Sequence, residues 1–220
     1  MKQSSPHKQY GLVQGKPILA YTLDCILSYP VFKKCILVLH EQDQYWKTFA
    51  MTHPKLVVVQ GGTERHHSVL NGLLALQTWA CASDWVVVHD GVRPMLQHSD
   101  LDKLIKEVGD DPVGGLLGHP LSATLKQVGH ESQVITTLDR TAYWQAFTPQ
   151  LFRYHWLDQA LKQAIIQHNT ITDEASAIER LGHSPKMVEG RSDNLKITYP
   201  ADFELFKRWV LGALTHIPKK

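Results

Sequence analysis

Short apolar runs alternate with helical patterns along the first half of the chain. The runs at Cys35–Leu39, Leu56–Val59 and Trp85–Val88 are rich in β-branched residues and predict strands. Because each run is apolar at consecutive positions, we expect these strands to be buried on both faces, as in a parallel sheet.

The segments between and after these runs carry helix signals. Apolar residues have helical spacing over Pro17–Leu27, and Thr63 is placed to cap a second helix. Ser99 and Asp102 resemble a capping box before a third helix. Strands that alternate with helices predict an α/β fold with a doubly wound, mostly parallel sheet.

The pattern changes from about Gly114 to Leu138, where short strand-like pieces are separated by polar turns. This change predicts an antiparallel excursion instead of another strand–helix unit. We expect it to form a protruding β-arm at about residues 120–143.

Helical patterns return at residues 151–168 and 173–181, and a last helix is expected after Pro200. The composition is that of an ordinary globular chain, with 43% hydrophobic and 20% charged residues, and no low-complexity tract marks a linker. We therefore expect one domain over residues 1–220.

Charge and cysteine content exclude several classes of protein. The formal net charge of +2 is too small to indicate a nucleic-acid or membrane-surface protein. The three cysteines lie in apolar contexts, which favours reduced thiols over a disulfide framework or a metal site. No stretch approaches the roughly 20 apolar residues of a membrane span, so we expect a cytoplasmic protein.

Polar residues follow the third predicted strand in the segment VVVHDGVRP. Asp90 and Arg93 would then lie at the carboxyl end of a strand, where parallel sheets bind ligands. Alternatively, the two residues form an ordinary surface ion pair.

The segment QGGTERHHSV also follows a strand, and it enters a helix. Backbone approach at its glycines, next to a helix N-terminus, suits an anionic or ribosyl ligand, although a plain turn is the more common explanation. Adjacent His66 and His67 diverge on a helix and do not suit a metal site.

Basic and polar residues also cluster near both ends of the chain. Arg191, Asp193, Asn194 and Lys196 lie in a polar loop before the last predicted helix, and Lys8 lies near the start. Taken alone, the loop is equally well explained as solvated surface, and an exposed lysine such as Lys8 is by default simply solvated.

Together, these segments resemble the 2-C-methyl-D-erythritol 4-phosphate cytidylyltransferase family, whose members are nucleotidyltransferases with a Rossmann-like fold. The motifs that carry the resemblance occur in order over nearly the whole chain. They are KQY (8–10) followed by GKPIL (15–19), GGTER with Ser68, VHDGVRP, DRTAYWQAFTPQLF (139–152), ITDEASA (171–177) and EGRSDNLKIT (189–198).

The resemblance implies transfer of a cytidylyl group from CTP to methylerythritol phosphate, with release of pyrophosphate and a divalent cation, usually Mg²⁺. It implies three catalytic residues. Lys8 would contact the CTP phosphates and Lys196 the α-phosphate region. Arg140 would reach from the arm to the substrate phosphate of the neighbouring subunit in a homodimer.

The resemblance also implies which residues surround the two substrates. The positions that match the methylerythritol site are Asp90, Arg93, Thr124 and Thr148. The positions that match the surroundings of the cytidine and its ribose are Gly62, Thr63, Ser68 and Gly91.

The chain departs from the family pattern at several places. His7 is inserted into the usual PKQY motif, Ala123 replaces an aspartate, and Thr63 replaces an acidic residue. Met1 matches an internal methionine of the family, so we expect the family's opening strand and Gly-rich loop to be missing, through an internal start or a true deletion.

Two alternative functions are compatible with these motifs. Ribitol 5-phosphate cytidylyltransferases share most of them, and sequence does not reveal the shape of the polyol pocket. The second alternative is a non-catalytic nucleotide-binding protein derived from the family. Retention of Lys8, Arg140 and Lys196 argues against it.

Overall fold

The computed structural model describes residues 8–49 and 51–215. The strands are β1 (Leu12–Val13), β2 (Lys16–Pro17), β3 (Cys35–Leu39), β4 (Leu56–Gln60), β5 (Trp85–Val88), β6 (Gly114–Pro120), β7 (Leu125–Val128), β8 (Val134–Leu138), β9 (Trp144–Arg153) and β10 (Lys186–Glu189). The helices are α1 (Ile18–Ser28), α2 (Arg65–Leu76), α3 (His98–Val108), α4 (Tyr154–Ile166), α5 (Glu174–Arg180) and α6 (Pro200–Thr215).

The largest sheet has four strands in the order β10-β6-β9-β5. Strand β10 pairs parallel with β6, while β9 pairs antiparallel with both β6 and β5. Three of its strands therefore point the same way, and β9 runs against them. Strands β3 and β4 form a separate parallel pair. The predicted α/β class is confirmed.

The predicted strands form where the apolar runs lie, but the expected burial on both faces was wrong. Every residue of β3 and of β5 is partly exposed, and Val58 in β4 is 43% exposed. Within the described ranges β3 and β4 pair only with each other, and β5 pairs along one edge only, with β9. An apolar run indicates a tendency to be buried, and the pairing of the strand with its neighbours determines how much of it is buried.

Two predicted helix starts were also wrong. Helix α2 begins at Arg65, and the Thr63 hydroxyl contacts the ring of His67 instead of capping the backbone. Helix α3 begins at His98, and its capping contact runs from the Gln97 amide to the Asp100 carboxylate at 3.0 Å.

The helix predicted from residue 151 begins three residues later, at Tyr154. Leu151 and Phe152 belong to β9, where they pair with Val87 and Val86 of β5. Both side chains are buried, and Phe152 packs against α4 and α5 in the main core. Strand β9 therefore ties the core to the carboxyl end of β5, where Asp90 follows.

The segment between β6 and β9 forms a hairpin of β7 and β8. Most of its residues are exposed, including Val134 (59%) and Ile135 (60%). Its base continues the four-stranded sheet, where Pro120 pairs with Trp144. We call β7, β8 and their connections, residues 121–143, the arm.

Two further findings concern the expectations from composition. In the described part of the chain, no helix has the length and apolar character that crossing a membrane requires. Cys25, Cys35 and Cys81 are free thiols.

Candidate active site

The Asp90 carboxylate lies just beyond the end of β5 and faces three cationic side chains. Its Oδ2 atom is 3.1 Å from Lys196 Nζ and 3.3 Å from Arg93 Nε. Its Oδ1 atom is 3.7 Å from Arg65 Nη2. These three cations come from the loop before α6, the turn after β5 and the start of α2. We call Asp90, Arg65, Arg93 and Lys196 the Asp90 cluster.

Burial and charge oppose each other at Asp90. Its side chain is only 14% exposed, and burial alone would raise the pKa of this carboxyl. The positive charges of Lys196, Arg65 and Arg93 outweigh burial and hold the pKa of Asp90 below its ordinary value. Asp90 is therefore ionised at neutral pH, and the cluster keeps a surplus of positive charge that suits an anionic ligand.

Backbone and side-chain hydrogen bonds join the turn after β5, strand β9 and the loop before α6 around Asp90. Its amide donates to Thr148 Oγ1 at 3.1 Å, and Asn194 Nδ2 donates to the Thr148 carbonyl at 3.1 Å. Arg93 Nη1 donates to the Asn194 carbonyl at 2.8 Å. Thr148 and Asn194 are buried, so these bonds are shielded from water.

The turn after β5 is also fixed from the side of α1. The Thr22 hydroxyl donates to the Gly91 carbonyl at 3.0 Å. A Cβ atom at position 91 would lie 2.9 Å from Leu19 Cδ1, so a larger residue would require a shift of this side-chain end or of the turn. Glycine therefore suits this close approach.

Of the residues predicted to surround the nucleotide, Gly62 and Thr63 lie in the turn before α2, Ser68 lies in the first turns of α2, and Gly91 lies in the turn after β5. The Gly62 amide donates to Ser68 Oγ at 3.1 Å, and a Cβ atom at position 62 would lie 2.4 Å from the Cβ of His67. Thr63 is exposed in the same turn. Arg65 follows directly and reaches Asp90, so this turn adjoins the Asp90 cluster.

Three predicted site residues make no contact with the Asp90 cluster or with its supporting loops within the described ranges. Lys8 lies in a short helical turn, where its carbonyl accepts from the Gly11 amide. Within the described ranges, none of the contacts of Lys8 reaches Asp90. Thr124 is exposed in the arm. Arg140 is also in the arm and donates to the Ser122 carbonyl. The inserted His7 lies outside the described residues.

The sequence motifs did not single out the ion pair between Arg65 and Glu174. Glu174 is 1% exposed, and its two carboxylate oxygens accept from Arg65 at 2.5 and 2.9 Å. Burial raises the pKa of Glu174, while Arg65 opposes that rise. A weak signal was available, because an arginine at the start of a helix is unfavourable for the helix dipole and calls for a nearby anion.

The described residues do not form a metal cage. No group of three His, Cys, Asp or Glu side chains within them could hold a metal ion. The oxygens of Asp90 already face cations, which leaves it poorly suited as the anchor of a protein-bound metal.

Comparisons with known proteins agree over most of the chain. The family model for 2-C-methyl-D-erythritol 4-phosphate cytidylyltransferase matches residues 1–210. A Pseudomonas putida protein of that name is 47% identical over 205 residues, which cover 92% of this chain and 87% of the relative.

Solved structures give the same result. The structure of the Francisella tularensis 2-C-methyl-D-erythritol 4-phosphate cytidylyltransferase has a TM-score of 0.80 and 34% identity, and the match covers 92% of each chain. A 4-diphosphocytidyl-2C-methyl-D-erythritol synthase has a TM-score of 0.83 and 33% identity, over 92% of this chain and 94% of that one.

The ionised form of Asp90 is expected to stabilise the fold. Asp90→Asn should lower the free energy of unfolding at pH 7 by about 2 kcal/mol, because it removes the counter-charge of three cations. Because the folded-state pKa is lowered, this contribution is present above the unfolded-state value of about 4 and is lost as pH falls further.

Denaturant unfolding of both proteins at pH 7, 5 and 3 measures this effect, with exposed Asp110→Asn as the control. The difference between wild type and Asp90→Asn should shrink towards pH 3. A difference that grows as pH falls would contradict the assignment.

Proposed function

We propose a catalytic mechanism for this chain, which belongs to the 2-C-methyl-D-erythritol 4-phosphate cytidylyltransferase family. The chain transfers the cytidylyl group of CTP to 2-C-methyl-D-erythritol 4-phosphate in isoprenoid biosynthesis. The products are 4-diphosphocytidyl-2-C-methylerythritol and pyrophosphate. The observation that carries the catalytic proposal is the convergence of Lys196, Arg93 and Arg65 on Asp90.

The chemistry demands an excess of positive charge. A phosphate oxygen of methylerythritol phosphate attacks the α-phosphorus of CTP, and the bond from that phosphorus to the oxygen bridging to the β-phosphate breaks. Both reactants are anions, and negative charge grows on the leaving pyrophosphate. Catalysis therefore depends on cations that bring the phosphates together and hold them in line.

Lys196 is proposed as the cation at the α-phosphate. Its side chain is 42% exposed, so the ammonium group is open to a ligand while Asp90 holds it at 3.1 Å. A lysine suits this role because it is a compact point charge with rotatable donors. Lys8 is proposed to contact the CTP phosphates from outside the Asp90 cluster.

The polyol part of the acceptor is proposed to lie against Asp90 and Arg93. A carboxylate accepts hydrogen bonds from hydroxyl groups, and the guanidinium donates to oxygen acceptors. Thr148 is proposed to complete this side of the pocket, and its hydrogen bond from the Asp90 amide supports that placement. Thr124 is proposed to reach the acceptor from the arm.

The cytidine is proposed to bind at the turn before α2. Gly62, which packs closely against His67, is proposed to meet the nucleotide through its backbone, and Thr63 and Ser68 offer hydroxyl groups. Gly91, whose carbonyl is held by Thr22 of α1, is proposed to border the nucleotide from the turn after β5. Arg65, at the start of α2, lies 3.7 Å from Asp90, which also contacts Lys196 and Arg93. The proposed nucleotide and acceptor positions are therefore adjacent.

The chain is proposed to act as a homodimer whose arms cross to the neighbouring sites. The exposed apolar side chains of the arm support this proposal. They are Val128, Val134, Ile135 and Tyr143. Arg140, which lies in the arm and away from the Asp90 cluster of its own chain, would then reach the substrate phosphate of the other subunit.

Mg²⁺ is proposed to enter bound to the phosphates of CTP. Mg²⁺ commonly binds through substrate phosphates with only one or two protein carboxylates. The described residues fit no protein-built metal site, since Asp90 faces Lys196, Arg93 and Arg65. A cytoplasmic location is proposed from the free thiols of the described chain.

Pyrophosphate release from CTP in the presence of Mg²⁺ tests the reaction. Wild type should turn over with methylerythritol phosphate and much more slowly with ribitol 5-phosphate. Lys196→Ala should lower kcat about a hundredfold or more, because a cation that faces the transition state is lost. The control is Lys207→Ala, which removes an exposed lysine of α6 and should leave turnover unchanged. Equal rates for wild type and Lys196→Ala would refute the assigned role.

Mixing two inactive variants tests the crossed arms. Arg140→Ala and Lys196→Ala should each be inactive alone. In a mixed dimer one site has an intact Lys196 and receives an intact Arg140 from the other subunit. After subunit exchange, an equal mixture should recover about a quarter of wild-type activity, because half of the dimers are mixed and one of their two sites is complete.

Sedimentation of the same mixture shows whether dimers are present, and co-purification of subunits that carry different affinity tags shows whether they have exchanged. Recovery is expected only where dimers are present. A mixture of exchanged dimers that stays inactive would place Arg140 in the site of its own subunit or outside the site.

A further inference from the structure

The ion pair between buried Glu174 and partly exposed Arg65 borders the site, and neither residue is among the predicted site residues. Glu174 is the first residue of α5 and is 1% exposed. Both terminal nitrogens of Arg65 donate to its carboxylate. One of these nitrogens, Nη2, also lies 3.7 Å from Asp90 Oδ1. Glu174 is therefore connected to Asp90 through a single guanidinium group.

The two oxygens of Asp90 are used differently. Oδ2 is within 3.3 Å of both Lys196 and Arg93, so its contacts are filled by the protein. Oδ1 faces Arg65 at 3.7 Å, which is longer than a hydrogen bond. Within the described ranges this oxygen accepts no hydrogen bond, so it is the one that can accept from a ligand donor.

We propose that Glu174 is a positioning residue that holds Arg65 back from Asp90 and so keeps Asp90 Oδ1 free for a hydroxyl group of the polyol phosphate. An arginine and a carboxylate prefer a two-bond fork when nothing restrains them. In this structure Glu174 accepts both hydrogen bonds from Arg65, and Asp90 is left with a 3.7 Å contact to the same guanidinium.

Glu174 is itself firmly placed. Gln150 Nε2 donates to Asp173 Oδ2 at 2.8 Å, and the Ala175 amide donates to Gln150 Oε1 at 2.9 Å. These bonds fix the start of α5 to β9 on both sides of Glu174. Thr148 lies two residues before Gln150 in β9, and its hydroxyl accepts a hydrogen bond from the Asp90 backbone amide. The same strand therefore sets the positions of Glu174 and Asp90.

This inference rests on the proposed binding of the acceptor at Asp90. We expect a change at Glu174 to affect binding of the acceptor and not of the nucleotide, because other hydrogen bonds hold the turn before α2. The Gly61 amide donates to the Leu39 carbonyl at 2.7 Å, and the Gly62 amide donates to Ser68 Oγ. Neither bond involves Glu174.

Steady-state kinetics of Glu174→Gln tests the proposal. The neutral amide releases Arg65, which then pairs with Asp90 and competes with the acceptor hydroxyl. We expect KM for methylerythritol phosphate to rise about tenfold, while KM for CTP and kcat change by less than about threefold. Glu179→Gln, on the exposed side of the same helix, should leave every constant unchanged.

Thermal unfolding separates positioning from support of the fold. The proposal is overturned if Glu174→Gln unfolds at lower temperature but keeps the wild-type KM for methylerythritol phosphate.

Further outcomes are also decisive. If Glu174→Gln does not fold, Glu174→Asp keeps the charge but withdraws the carboxylate by one methylene. It should raise the same KM several-fold, and an unchanged KM would overturn the proposal. Wild type without any turnover would instead contradict the proposed function. Normal wild-type turnover with an unaffected Glu174 variant would contradict only this inference.

Discussion

The contact between the Asp90 carboxylate and its three cations is the interaction on which the site depends. Arg65, Arg93 and Lys196 lie far apart in sequence, and without a central anion their like charges would repel one another at close range. Asp90 therefore does more than meet a ligand. It makes a compact positive surface possible, and the hydrogen bonds of Thr148 and Asn194 keep the supporting loops in register.

Local sequence patterns predicted the elements of the fold better than their environment. The apolar runs of β3, β4 and β5 formed strands at the expected places, because composition and length are local properties. Their partial exposure depends on which strand edges are paired, and that is a property of the whole chain. The same limit applies to Leu151 and Phe152, whose apolar character fits a helix as well as a strand until pairing with β5 decides.

The site could be predicted in part. Asp90, Arg93, Thr148 and Lys196 are brought together in the structure, and they lie in motifs that resembled a known family. The pair of Arg65 and Glu174 joins distant segments, and the only local signal for it was the weak one of an arginine at the start of a helix. The roles of Lys8, Thr124 and Arg140 stay predictions, because in one chain these residues lie outside the cluster.

Turnover by Asp90→Asn tests the central role of this carboxylate most directly. The amide has nearly the same shape but no charge, so Lys196 and Arg93 lose the anion that gathers them. At saturating CTP, kcat/KM for methylerythritol phosphate should fall about a hundredfold or more in a variant that is still folded. A folded Asp90→Asn protein within a few-fold of wild type would contradict the account.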